Sequence, residues 1–350
     1  MIDWGLAERV ADAVSGTPAG GTVLPGDLPA LARTAEAAVT AYTGMRPPGP
    51  LPAPEAVDRA TWARANLATM RTTLAPVVDR FDERLASAAA AGPLRSAAGF
   101  IVAGEIGGLV GLMARRVLGQ YELGLLDLEA PARLLLVAPN VRDAARELDV
   151  DLGELLTWVT VHEVTHAVQF TAVPWLRPHL GALLSELLAS AEVKLDPAAV
   201  LRMPSREDLA AWRDAVRDGG LVRLVAGPER KALLDRVQAA MALVEGHAEH
   251  VMDAAGAPLL RSLPLLRGAL DRRRAERPPL WRLLERLLGL DLKMRQYEIG
   301  RRFVDGVVDR GGVAGLNRAW MAPEYLPTLA ELEDPGAWLR RTGPRELPSA

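Results

Sequence analysis

No cysteine occurs among the 350 residues. That excludes disulfides and any zinc site of the Cys-Cys type, so a metal here must be held by nitrogen and oxygen. Aromatic residues are also scarce, 5% of a chain that is 49% hydrophobic, and the core must be built mainly from Leu, Val and Ala. Lysine is nearly missing: Lys194, Lys231 and Lys293 are the three. Arginine carries the rest of the positive charge, and with abundant Ala, Gly and Pro this composition fits a GC-rich bacterial genome. Neither sign of charge dominates. The 41 basic and 44 acidic residues are interspersed and leave a formal net charge of −3, with no basic stripe for nucleic acid and no acidic tail for a basic partner. The most hydrophobic run, Phe100 to Met113, is broken by Glu105 and falls short of the ~20 residues a helix needs to cross a bilayer. The start, Met-Ile-Asp-Trp-Gly, lacks the pattern of a secretory signal. The expectation is a cytoplasmic protein that binds neither nucleic acid nor membrane.

Histidine is rare too, and its placement is informative. Of five histidines, two stand in His162-Glu163-Val164-Thr165-His166 and two in Glu245-Gly-His247-Ala-Glu249-His250-Val-Met-Asp253. On a helix, residues four apart project about 40° from one another, so His162 and His166 can grip one zinc ion from a single face. Glu163, about 100° round from His162, can reach water at that metal without becoming a ligand. The fifth, His179 between Pro178 and Leu180, reads as a packing or loop histidine.

A catalytic zinc takes three protein ligands and a water. The extended H-E-x-x-H-x-x-G-x-x-H pattern needs Gly at 169 and His at 172, where this chain has Gln169 and Ala172. A glutamate from a second helix remains, and Glu245 fits. Glu249 lies about 40° round the same helix from it, while His250 and His247 lie about 140° and 200° away. Glu249 then becomes the acceptor for the other ring nitrogen of a zinc-bound histidine, His162 in first place, fixing its tautomer. The competing assignment takes the third ligand from His247 or His250.

Along the chain, residues 16–30 and 44–55 are rich in Pro and Gly and read as loops. Helices are expected over 27–44, 56–91 with an interruption, 94–119, 141–148, Asp151 to Phe170, 180–193, 205–218, 229–254 and 280–309. Small residues in the third (Gly104, Gly107, Gly108, Gly111) allow close packing. The best strand is 133–138, ended by Pro139-Asn140. Arg272 to Arg274 with Pro278-Pro279 reads as a charged break. The organisation expected is a helical region over 1–92, a domain carrying the metal motif over 93–310, and a C-terminal extension over 311–350.

The paired segments around His162 and Glu245 resemble the gluzincins, whose third zinc ligand is a glutamate on a second helix. The chain as a whole resembles a family of bacterial zincin-like proteins of undetermined substrate. Some members carry hydrolase names, and one branch is associated with coenzyme F420 biosynthesis. Further stretches that carry the likeness are Asp3-Trp4, Val117-Leu-Gly-Gln-Tyr121, Pro174-Trp-Leu, and Gln296-Tyr297 with Gly300 and Phe303. Glu245 stands much farther from His166 than in compact gluzincins, so the intervening helices must fold back over the site. The resemblance implies an α+β, mainly helical zincin-like fold with a small sheet, including 133–138, beside the motif helix.

The function expected is a zinc-dependent hydrolase, a peptidase or amidase, with Zn(2+) as cofactor, His162, His166 and Glu245 as ligands and Glu163 as general base. Its partner would be a peptide or amide substrate. The alternative is a non-catalytic zincin-fold binding or scaffold protein linked to coenzyme F420 metabolism, with room for a partner protein. Glu163 favours the enzyme, because a structural site has no use for a base. Tyr297, on one face with Lys293 and Arg301, reads as a donor to a developing oxyanion or as part of a solvated polar stripe.

Overall fold

A computed structural model describes residues 2–16, 21–86, 91–190, 228–275 and 291–343. It forms two compact units, residues 1–181 with 254–269, and residues 182–253 with 270–350. The protein is mainly helical with a small sheet, an α+β fold. The helix expected over 205–218 lies outside the described residues.

In the first unit, helices α1 (Trp4–Ser15), α3 (Arg59–Ala86) and α4 (Ala91–Ala114) pack together. The small residues of α4 serve that packing. A Cβ on Gly107 would come within 2.3 Å of the Ala7 carbonyl oxygen, and one on Gly111 within 2.8 Å of that of Ala11. Helix α3 runs through Pro76 without the expected interruption. Helix α2 (Leu28–Thr43) starts on Asp27, whose carboxylate accepts the Ala30 N–H.

Among the described residues three strands make one sheet, ordered β1 (Pro54–Val57), β3 (Arg133–Val137), β2 (Gly119–Glu122). β1 runs parallel to β3 and β2 antiparallel to it. The run Leu134 to Val137 is fully buried, as befits a central strand covered on both faces. The sequence pattern identifies this strand but not the other two. β1 straddles the end of the loop read over 44–55 and the start of the helix read over 56–91, and β2 lies where the preceding helix was expected to end. Both have four residues, and Pro54 is tolerated because it opens an edge strand.

Asn140 fixes the corner between these elements. Its amide donates to the Ala114 and Val117 carbonyls, both at 2.7 Å, and its oxygen accepts from Arg59 Nε at 2.6 Å. It thereby satisfies the Ala114 carbonyl at the end of α4 and the Val117 carbonyl just before β2. Helix α5 (Ala138–Leu148) follows β3 directly, with Pro139 in its first turn. Helix α6 (Leu152–Ala172) packs against α2, α5 and the sheet. Asp151 caps it as expected, accepting the Glu154 N–H at 2.9 Å. Glu154 in turn accepts the N–H groups of Arg261 and Ser262. Pro174 follows the end of α6, whereas Pro178 sits in the first turn of α7 (Leu176–Ala189).

In the second unit, α8 (Pro228–Gly256) and α10 (Asp291–Leu316) cross at glycines. A Cβ on Gly300 would lie 1.9 Å from the Ala242 carbonyl oxygen, and one on Gly246 would lie 2.2 Å from the Gly300 carbonyl carbon. Helix α9 (Leu263–Ala275), which starts in the first unit, takes in Arg272 to Arg274 as helix, and Pro278-Pro279 of the expected break lie outside the described residues. α10 kinks at Gly312, where φ is 66°. The C-terminal segment folds into two short helices, Leu329–Glu333 and Pro335–Thr342. Trp338 anchors it, ring edge to face with Phe303 and its indole N–H on the Tyr325 carbonyl.

Candidate metal centre

α6 is apolar on most of its circumference, with Leu155, Leu156, Val159, Val161, Val164, Ala167 and Val168 buried. Its polar residues stand out against that apolar surface. Thr160 and Thr165 return their hydroxyls to the Leu156 and Val161 carbonyls at 2.8 and 2.7 Å. Gln169 is fully buried one turn beyond His166.

His162 and His166 are half-buried on a common face, their ring centroids 4.8 Å apart and planes at 89°. One ring nitrogen of each and one carboxylate oxygen of Glu245 all lie within 4.8 Å of one another. This is the trio expected from helical spacing. Two imidazole nitrogens and one carboxylate oxygen form a donor set of the chemical type that holds zinc.

Glu163 is buried, and its carboxylate accepts the Tyr121 backbone N–H from β2 at 2.7 Å. Tyr121 also lays its ring against Phe170, with centroids 6.2 Å apart. Burial pushes the Tyr121 phenol above its usual pKa, although the positive charge of Arg177 works against that shift. These β2 contacts carry no periodic signature; the only hint was the stretch Val117 to Tyr121 in the family resemblance. A second feature missed by spacing is Trp158, whose indole stacks on His162.

The remaining histidines have other surroundings. His250 places Nδ1 2.6 Å from Asp305 Oδ1. His247 is buried edge-on to Trp320, and His179 stands edge-on to Trp175, a packing role. Glu249 is buried at 2% exposure, a position that a carboxylate tolerates only with partners. Tyr297 lies on α10, but its side chain falls outside the described residues.

An H-E-x-x-H helix beside a small sheet, with a glutamate from a later helix at the two histidines, is the arrangement of a zincin. The chain belongs to the zincin-like metallopeptidase family, whose model matches residues 2–339. It is also similar to a crystal structure from Chloroflexus aurantiacus, provisionally described as a hydrolase with a novel fold. The two share 30% identity over 97% of this chain and 98% of that one, with a TM-score of 0.74. No curated protein matches. No helix among the described residues is long and apolar enough to cross a membrane.

Proposed function

We propose that the protein is a zinc-dependent hydrolase of peptide or amide bonds, with His162, His166 and Glu245 as ligands and Glu163 as general base. The observation that carries this reading is the convergence of those three ligand atoms within 4.8 Å, two of them on the helix that also holds Glu163. Zinc held by these residues would supply a Lewis acid for the scissile carbonyl and would lower the pKa of a bound water to about 7. Glu163 takes the proton from the attacking water and returns it to the departing amine, a role worth about 10²–10⁴-fold in rate. Its bond to the Tyr121 N–H engages Oε2 and would leave Oε1 for the proton. Glu249 is the acceptor for the second nitrogen of His162, holding the ring in the tautomer that ligates.

The family and the structural relative support hydrolysis as a class. Neither carries the coenzyme F420 association, and a non-catalytic scaffold leaves Glu163 without a task. The test is profiling of zinc-loaded protein and metal-stripped protein against peptide and amide libraries. The reading expects cleavage that disappears with the metal and returns on adding zinc. Equal cleavage by the stripped protein would refute it, and an absence of zinc-dependent cleavage across the libraries would favour the scaffold.

A further inference from the structure

We propose that strand β2 is the positioning element for the Glu163 carboxylate, through the Tyr121 backbone N–H and the missing side chain of Gly119. The inference rests on the reading of Glu163 as the base.

The strand's alternation shows how. Val137 N–H bonds the Leu118 carbonyl at 2.9 Å, and Gly119 pairs with Leu136, Tyr121 with Leu134. In an antiparallel pair, backbone groups turn toward the partner at every second residue. Leu118, Gln120 and Glu122 therefore address β3, whereas Gly119 and Tyr121 turn theirs outward at the open edge. Glu163 Oε2 takes the Tyr121 N–H there, a charge-assisted bond. The other oxygen, Oε1, stays clear of this bond.

Gly119 supplies the room. A Cβ at this position would stand 2.7 Å from Val159 Cγ1, 2.9 Å from Glu163 Cγ and 3.1 Å from Glu163 Oε1. Any side chain at 119 must displace the Glu163 stem, and helix α6 is too well packed at Val159 to retreat. The opposite face locks the strand in register. Gln120 and Asn66 exchange amide bonds at 3.1 and 3.2 Å, and Glu122 accepts from Thr69 at 3.1 Å. The strand is thus fixed on α3 by even-numbered residues and presents odd-numbered ones to the base.

The substrate-free test is amide hydrogen exchange of Tyr121, in zinc-free and zinc-loaded protein. Glu163→Ala should speed Tyr121 exchange about tenfold or more while leaving Gln120 and Glu122 unchanged; equal protection of Tyr121 would overturn the proposal. The kinetic test is a cycle of Gly119→Ala and Glu163→Gln. Gly119→Ala should retain full zinc, lose about tenfold or more in kcat with KM unchanged, and add no further loss to Glu163→Gln. An undiminished kcat, or a loss that simply multiplies that of Glu163→Gln, would overturn the clamp while the base survives. An undiminished rate in Glu163→Gln itself would overturn the base reading and this proposal together, whatever Tyr121 exchange shows. Should Gly119→Ala fail to fold, Val159→Ala added to it removes the nearest clash, and the same readouts apply.

Discussion

The indole of Trp158 lies on the imidazole of His162, one helical turn on, with ring centroids 6.2 Å apart and planes 12° from parallel. If His162 is a ligand as proposed, the stack restrains a ring that would offer one particular nitrogen to the metal, and contacts that orient a ligand are typically worth about 10–100-fold in metal affinity. Trp158→Ala should lower zinc affinity by about tenfold or more and cost about 3–5 kcal/mol of stability from the cavity it leaves. Trp158→Phe keeps a ring in place and should retain most of both. Competition with a zinc chelator, alongside denaturant unfolding, separates the two effects.

The ligand set has its own signature. His166→Ala and Glu245→Ala should each lose most of the zinc, and His250→Ala should keep it, because the His250 ring is engaged with Asp305. Metal analysis after dialysis reads all three. Normal zinc in Glu245→Ala together with loss in His250→Ala would move the third ligand to the histidine.

The glycine crossing that holds the Glu245 helix should be intolerant of any side chain. Gly300→Ala must force α8 and α10 apart, since its Cβ would sit 1.9 Å from the Ala242 carbonyl oxygen. Overpacking of this kind costs about 1–3 kcal/mol, and zinc content should fall as Glu245 moves with its helix. Gly108→Ala is the contrast. Nothing lies within 4 Å of its added Cβ, so the change should stabilise α4 by about 0.4–1 kcal/mol. Thermal unfolding of the two variants compares them directly.

Much of this centre was legible in the sequence because it obeys helical periodicity. His162, Glu163 and His166 share one helix, and Glu245 was selected on its own helix by angle. Asp151 was recognisable as a cap for the same reason. β1 and β2 were not legible. Four-residue edge strands such as Gly119–Glu122 take their conformation from pairing with β3, and no local propensity announces them. The Tyr121 bond to Glu163 spans 42 residues and uses a backbone group, to which side-chain identity is blind. Gly300 stood out only as part of the family likeness, and its role with Gly246 is set by the crossing of two helices distant in sequence.

The C-terminal helices should respond to acid. Burial would raise the Glu331 pKa, but hydrogen bonds from Arg341 and Thr328 outweigh it and hold the carboxyl below its ordinary value. A depressed carboxylate pKa stabilises the fold above the unfolded value of about 4.3, and that contribution disappears as pH falls through the folded value. Arg341 is partly exposed, so Arg341→Ala should cost only about 0–1 kcal/mol at neutral pH. The difference from wild type should shrink as pH drops below about 4. Denaturant unfolding at neutral and acidic pH, followed by Trp338 fluorescence, measures it.

The most direct measurement is the rate of Glu163→Gln against wild type on one verified substrate, at equal zinc content. The side chain is bonded to strand β2 and is not one of the three proposed ligands, so the variant should keep its zinc and its fold, with stability barely changed. His162→Ala, by contrast, should lose zinc and stability together. Glu163→Gln should cleave about 10²-fold more slowly or worse. A variant that is fully loaded and as fast as wild type would contradict the assignment of Glu163 as the base.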